Sequence, residues 1–164
     1  MPVLPRLAEL RAIEDPQQRR LTTREVHAIL LQSWKADRRW GGMAEHLVEQ
    51  IHPMFRHGFA RLAAQAEASK RVNVSSFRGL VHSLHHHHTI EDRAWFPQLK
   101  RLHPDARPEI DILETDHRKL VELEAQVSSG DYDAHVEFID HLMDHLNREE
   151  MLSVPWLLDG TGAL

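Results

Sequence analysis

Two segments of this chain carry the same hydrophobic stripe, and each stripe leads into a histidine and a glutamate. The first reads Phe77, Leu80, Leu84, His87, Glu91, Ala94, and the second reads His135, Phe138, Leu142, His145, Glu149, Leu152. Neighbouring positions are three or four residues apart throughout, and each member of the second lies 58 residues after its counterpart in the first. That period marks one buried face of an α-helix. His87 and Glu91 therefore occupy core positions, as do His145 and Glu149, with imidazole and carboxylate one turn apart on one face. Pro97 and Pro155 each follow the glutamate by six residues, where a helix is expected to stop or kink. Buried carboxylates are costly unless paired or metal-bound. Two such pairs converging in one core point to a metal centre.

The remaining periodicity supplies two more helices. Ile110, Leu113, His117 and Leu120 form one stripe, so His117 also faces inward. It lies 30 residues after His87 and 28 before His145, which places the three at a similar level in a bundle. In the helix before them, Leu47, Ile51, Met54, Phe55, Gly58, Phe59 and Leu62 form an apolar arc. His52 sits at its edge, roughly 85° from the centre, while His46 and His57 lie roughly 135° to 155° away. His52 is therefore the candidate from this helix. Pro53 follows it directly and is expected to kink the helix or open a fresh one there.

The four helices are expected at about 43–69, 74–102, 108–127 and 134–152, joined by short loops and bounded by Gly and Pro. Strand-like alternation is absent. The expected fold is all-α: an antiparallel up-down-up-down four-helix bundle with an extra N-terminal helix. Residues 1–40 form a loosely ordered lead-in and an accessory helix, 43–156 the bundle, and 157–164 a tail. The accessory helix is expected to start at Thr22, with Glu25 completing a capping box, and to carry Val26, Ile29, Leu30 and Trp34 on one side. It packs across the body or mediates a homodimer.

Composition removes several functions. There is no cysteine among 164 residues, which excludes thiolate metal sites, iron–sulfur clusters and thiol nucleophiles. A net charge of -5 leaves no basic footprint for nucleic acid or an anionic membrane surface. No apolar run approaches the ~20 residues needed to cross a bilayer, and no signal-peptide pattern is present. The default location is therefore cytoplasmic. Histidine, at 14 residues, is the outlier, and imidazole with carboxylate suits zinc, copper, nickel or iron.

The motifs IHPMFR around His52, HHHHTIEDRAWFP from His85 to Pro97, LETDH ending at His117, and HLNREEMLSVP from His145 to Pro155 resemble the hemerythrin-like, or HHE cation-binding, family. The resemblance covers about residues 44–155. It implies a non-haem di-iron centre in a four-helix bundle, with an oxo or hydroxo bridge and two bridging carboxylates. On that pattern His52, His87, His117 and His145 are terminal ligands, and Glu91 and Glu149 are the bridges. The residue after the helix-two histidine is a ligand in some members, and here it is His88. His88 also continues an inward row with Val81 and Trp95. The chain departs from the marine oxygen carriers, which place two histidines one turn apart on helix three: positions 113 and 121 are Leu and Val.

Two ferrous ions bring +4, and two glutamates with a hydroxide return −3. A His-rich centre of this charge favours the reduced pair over very high oxidation states. The resemblance thus implies binding of dioxygen, nitric oxide or peroxide for sensing, storage or carriage. Enzymatic reduction of peroxide or nitric oxide, iron storage and donation, and a structural zinc site stay open as alternatives. His82, His85 and His86 are expected to be solvated or beside the ligands. His27, His46, His57, His103, His135 and His141 are expected to be surface or structural residues. Asp92, Asp116 and Glu150 are expected to face outward or to hydrogen-bond a ligand imidazole. Trp95, Phe96 and Trp156 are expected to line the core or a pocket.

Overall fold

The computed structural model describes residues 3–162, and all regular structure among them is helical. The first two and last two residues of the chain lie outside the described residues, including Pro2 of the lead-in and the end of the tail. Helices α1 (Val3–Arg11) and α2 (Pro16–Lys35) precede the segment in which the four-helix pattern was expected. Helices α3 (Gly42–His46) and α4 (His52–Ser69) are joined by a π-helical turn, Leu47–Ile51. Helices α5 (Val74–Ile90) and α6 (Phe96–Leu102) are joined by a second, Glu91–Trp95. A short 3₁₀ turn then leads into α7 (Arg107–Val127), and α8 (Tyr132–Leu158) follows.

The N-terminal segment departs from expectation. It holds two helices before Gly41, and the lead-in is not loose. Pro5 sits in the first turn of α1 and Pro16 at the first turn of α2, where a missing N–H costs nothing. Asp15, not Thr22, caps α2: its side chain accepts from the Gln18 N–H at 2.6 Å. Thr22 lies inside the helix and its hydroxyl donates back to the Gln18 carbonyl. The face that α2 buries carries Thr23, His27 and Trp34, with Val26, Leu30 and Leu31 packed beside the core, while Ile29 is 64% exposed.

Both π turns end immediately before an X–Pro bond. The His52 N–H reaches back five residues to the Leu47 carbonyl, and the Phe96 N–H reaches the Glu91 carbonyl. A widened turn takes up one extra residue and makes room for the proline ring that follows. Pro97 therefore neither stops the helix nor leaves its register unchanged. Ala94, which a straight helix would bury, is exposed, and Trp95, Phe96 and Leu99 are buried instead. The same shift exposes Met54 and buries His52 completely. Pro155 is accommodated differently. Helix α8 runs through it to Leu158, held by buried Met151, Leu152, Val154 and Leu158. The tail folds back as well, with the Trp95 indole N–H donating to the Gly162 carbonyl at 2.7 Å.

The core has two apolar layers. One contains Phe55, Phe59, Leu84, Val81, Leu120, Leu123, Leu142 and Leu146, among others, and has the ring cluster Phe59–Phe77–Phe138 within it. The other contains Leu47, Val48, Trp95, Phe96, Ile110, Leu113, Met151 and Leu152, and takes in Leu7 and Leu10 of α1 and Trp34 of α2. Burial of each large side chain contributes about 1.5–3 kcal/mol. Buried His52, His88, Glu91, Asp116, His117, His145, Glu149 and Glu150 fall at or beside the places where one apolar layer gives way to the other.

Candidate metal centre

That polar layer is built from four stretches of chain. The π turn before Pro53 delivers His52 from the start of α4, and the end of α5 delivers His87 and His88. Glu91 opens the second π turn, α7 supplies His117, and α8 supplies His145 and Glu149. Donor atoms of these seven residues fall into two groups, within each of which all lie no more than 4.8 Å apart. The first group is His88, Glu91, His117 and His145, and the second is His52, His87, Glu91 and Glu149. Glu91 belongs to both. Its Oε1 lies 3.0 Å from His87 Nε2, and its Oε2 lies 3.5 Å from His117 Nε2. Glu149 Oε2 also reaches both, at 3.4 Å from His52 Nε2 and 3.6 Å from His145 Nε2.

These atoms are buried and lack hydrogen-bond partners. His52 Nε2, His87 Nε2, His88 Nε2 and both carboxylate oxygens of Glu91 and Glu149 make no hydrogen bond within the chain, although all point into the layer. An unsatisfied buried polar group costs about 1–3 kcal/mol, so the layer opposes folding unless something binds there. The donors are nitrogen and oxygen only, which fits a divalent transition metal. Rings pack tightly around the centre: His88 stacks on His117 at 3.8 Å, Phe96 stacks on His117 at 5.6 Å, and Phe55 stacks on His87 at 5.4 Å.

Electrostatics show how the protein strains to hold these groups. Burial pushes the His87 pKa down to about 3 and the His117 pKa down to about 4, and it holds His88 well below the usual imidazole range. Such imidazoles are neutral and ready to donate a lone pair. Burial, followed by the neighbouring Glu149 charge, raises Glu91 well above the carboxylate range. Burial also opposes charge on His52 and Glu149, but their mutual attraction prevails. The His52 pKa rises to about 9 and the Glu149 pKa falls to about 2.

Three carboxylates brace the imidazoles from behind. Asp92 Oδ1 accepts from His117 Nδ1 at 2.8 Å, Glu150 Oε1 accepts from His52 Nδ1 at 2.7 Å, and Asp116 Oδ2 lies 3.3 Å from His145 Nδ1. A bond at Nδ1 fixes the tautomer that presents Nε2 to the centre. Glu150 and Asp116 are buried, so the outward-facing alternative is corrected for both. Each stays below the usual carboxylate range: burial opposes the charge, but His27, His52 and Arg56 outweigh it at Glu150, as His141, His145 and Arg148 do at Asp116.

Two of the histidines expected to be surface or structural take the structural role. His27 is buried and bonded to Glu150, and His135 is buried edge-on to Phe77 at 5.8 Å. His82, His85 and His86 are exposed, as are His46 and His57. The sequence did hold a signal for two of the braces, the adjacent acidic pairs Glu91–Asp92 and Glu149–Glu150, which lie 58 residues apart like the stripes that contain them.

Comparison with known proteins agrees with this geometry. No curated protein and no solved structure matches the chain. Residues 43–157 match the model of the hemerythrin HHE cation binding domain, and that segment carries all seven converging residues. The chain belongs to the hemerythrin HHE cation-binding domain family.

Proposed function

We propose that His52, His87, His88, Glu91, His117, His145 and Glu149 hold two iron ions, and that the protein binds dioxygen, nitric oxide or peroxide there for sensing, storage or carriage. The observation that carries this reading is the pair of buried donor groups sharing Glu91, in which the inward atoms of His52, His87, His88, Glu91 and Glu149 have no hydrogen-bond partner. An iron pair in that position supplies electrons to a small oxygen or nitrogen ligand and takes them back.

The chain's own part is to orient, exclude water and leave room. One donor group has three imidazoles and the other has two, so a small ligand would be taken on the side of His52 and His87, where the chain offers fewer imidazoles. Apolar layers lie on both sides of the polar layer and keep bulk water from the site. The order of those layers also supports an antiparallel four-helix arrangement. One layer precedes the site in the turn that leads into α4 and in α7, and follows it in α5–α6 and α8.

Metal analysis with an absorption spectrum tests the proposal, using untagged protein expressed with added iron. About two irons per chain, with near-ultraviolet charge-transfer bands and a reversible spectral change on exposing the reduced protein to dioxygen, is the expected result. One zinc and a featureless spectrum after anaerobic iron reconstitution would overturn it. Rapid consumption of peroxide or nitric oxide would replace binding with turnover.

A further inference from the structure

Glu150 is heavily engaged beside the centre. It follows Glu149 on α8, is fully buried, and receives three donors. His52 Nδ1 donates to Oε1 at 2.7 Å and Arg56 Nη1 to the same oxygen at 2.5 Å. His27 Nε2 donates to Oε2 at 2.6 Å. His27 comes from α2, which lies wholly outside residues 43–157. Its ring meets the edge of Trp34 at 5.9 Å and is itself buried.

Immediately outside this group is a cleft of about 730 Å³ between α2, α4 and α8, bordered by Arg24, Arg56, His57 and Asn147. His27 and Glu150 also line it. Solvent in the cleft therefore stands close to Glu150, with the His27 and Arg56 side chains beside it. Oε1 is already shared by His52 and Arg56, so the bond on Oε2 is what stops the carboxylate turning about its own axis. Removing it leaves a buried acceptor that only water can satisfy, and a water-bound carboxylate is a looser brace for His52.

We propose that His27 is a positioning residue of the metal centre, acting through Glu150 on His52, so that helix α2 belongs to the functional site. The proposal rests on the metal-centre reading above. Its effect on the metal is indirect: His27 holds Glu150 in one rotamer, Glu150 fixes the His52 Nδ1–H, and His52 Nε2 is thereby aimed at the centre.

Cobalt(II) alone is the probe, loaded into the full chain, with its visible ligand-field spectrum and its rate of loss to a chelator as the readouts. His27→Leu is expected to shift the spectrum and to speed cobalt loss by roughly tenfold or more, the scale on which such supporting partners act. His27→Gln, whose amide can donate to Oε2, is expected to restore most of the wild-type behaviour. In a Glu150→Gln background, His27→Leu is expected to add little. Unchanged cobalt spectrum and release rate in His27→Leu would overturn the proposal, as would an equal effect with and without Glu150. If His27→Leu does not fold, His27→Ala, which also removes the donor to Oε2, compared in the two Glu150 backgrounds decides in the same way. Wild-type protein that takes up neither cobalt nor iron would instead remove the metal-centre reading on which the proposal depends.

Discussion

The Nε2 atoms of His117 and His145 lie 3.2 Å apart, although the residues belong to different helices and each has its Nδ1 turned to a carboxylate. Two nitrogens bound to one ion at right angles, with bonds of about 2.1 Å, stand roughly 3.0 Å apart. The spacing thus suits shared coordination, and His88, stacked on His117, adds a third imidazole to the same group.

His145→Ala is expected to lower the metal content from about two ions per chain to about one or fewer, because it strips a donor from the three-imidazole group. Elemental analysis of the purified, iron-loaded variant checks this. Two ions retained per chain would show that His145 is not a ligand.

Glu91 stands in both donor groups, so Glu91→Gln is expected to lose both ions together. The metal-free variant should nevertheless melt no lower than metal-free wild type. Burial and the Glu149 charge already hold the Glu91 pKa well above the carboxylate range, and the amide removes a group whose ionisation the folded state opposes. Calorimetry of the two apo proteins, alongside elemental analysis of the loaded ones, reads both halves of this prediction.

Chelation of the metal is expected to lower the melting temperature. A site filled at a hundredfold excess over its Kd adds about 2.7 kcal/mol, and for a chain of this size each kcal/mol is about 2–4 °C. A fall of roughly 5–10 °C per site is therefore expected by differential scanning calorimetry. Equal melting of chelated and loaded protein would contradict it.

On α4, His52→Ala is expected to reduce metal occupancy and His57→Ala to leave it unchanged. His52 is fully buried with Nε2 in the centre, while His57 is exposed and borders the cleft. The two variants measured side by side separate loss of a ligand from a general effect of removing an imidazole.

Phe59→Ala tests the core apart from the centre. Phe59 is fully buried and packs against Phe77 at 6.0 Å and Phe138 at 5.4 Å. Its truncation is expected to cost about 3–5 kcal/mol, measured by urea unfolding of the metal-free protein, while metal stoichiometry in the folded fraction stays near two.

The converging residues were legible in the sequence because helix periodicity is local. Which face of a helix is apolar depends on spacing alone, and His87, Glu91, His117, His145 and Glu149 sit on such faces. Register was less legible. A straight helix buries Ala94 and Met54, whereas the π turns before Pro97 and Pro53 expose both and bury His52 completely. The proline was visible in each case, but the extra residue taken up by the backbone was not. The start of α2 was misread for a related reason. Thr22 and Glu25 have capping spacing, yet Asp15 followed by Pro16 caps the helix earlier.

The amino-acid sequence by itself determined the helical class, the duplicated His/Glu stripes and the absence of thiolate chemistry, since each follows from composition or from contacts within a turn or two. Only the tertiary structure decided what lies behind the ligands. Glu150 is buried where α2 packs against α8, and its bond to His27 joins residues 123 positions apart. No local period encodes such a contact. It exists because two apolar helix faces docked, and docking placed a histidine from one segment against a carboxylate from another.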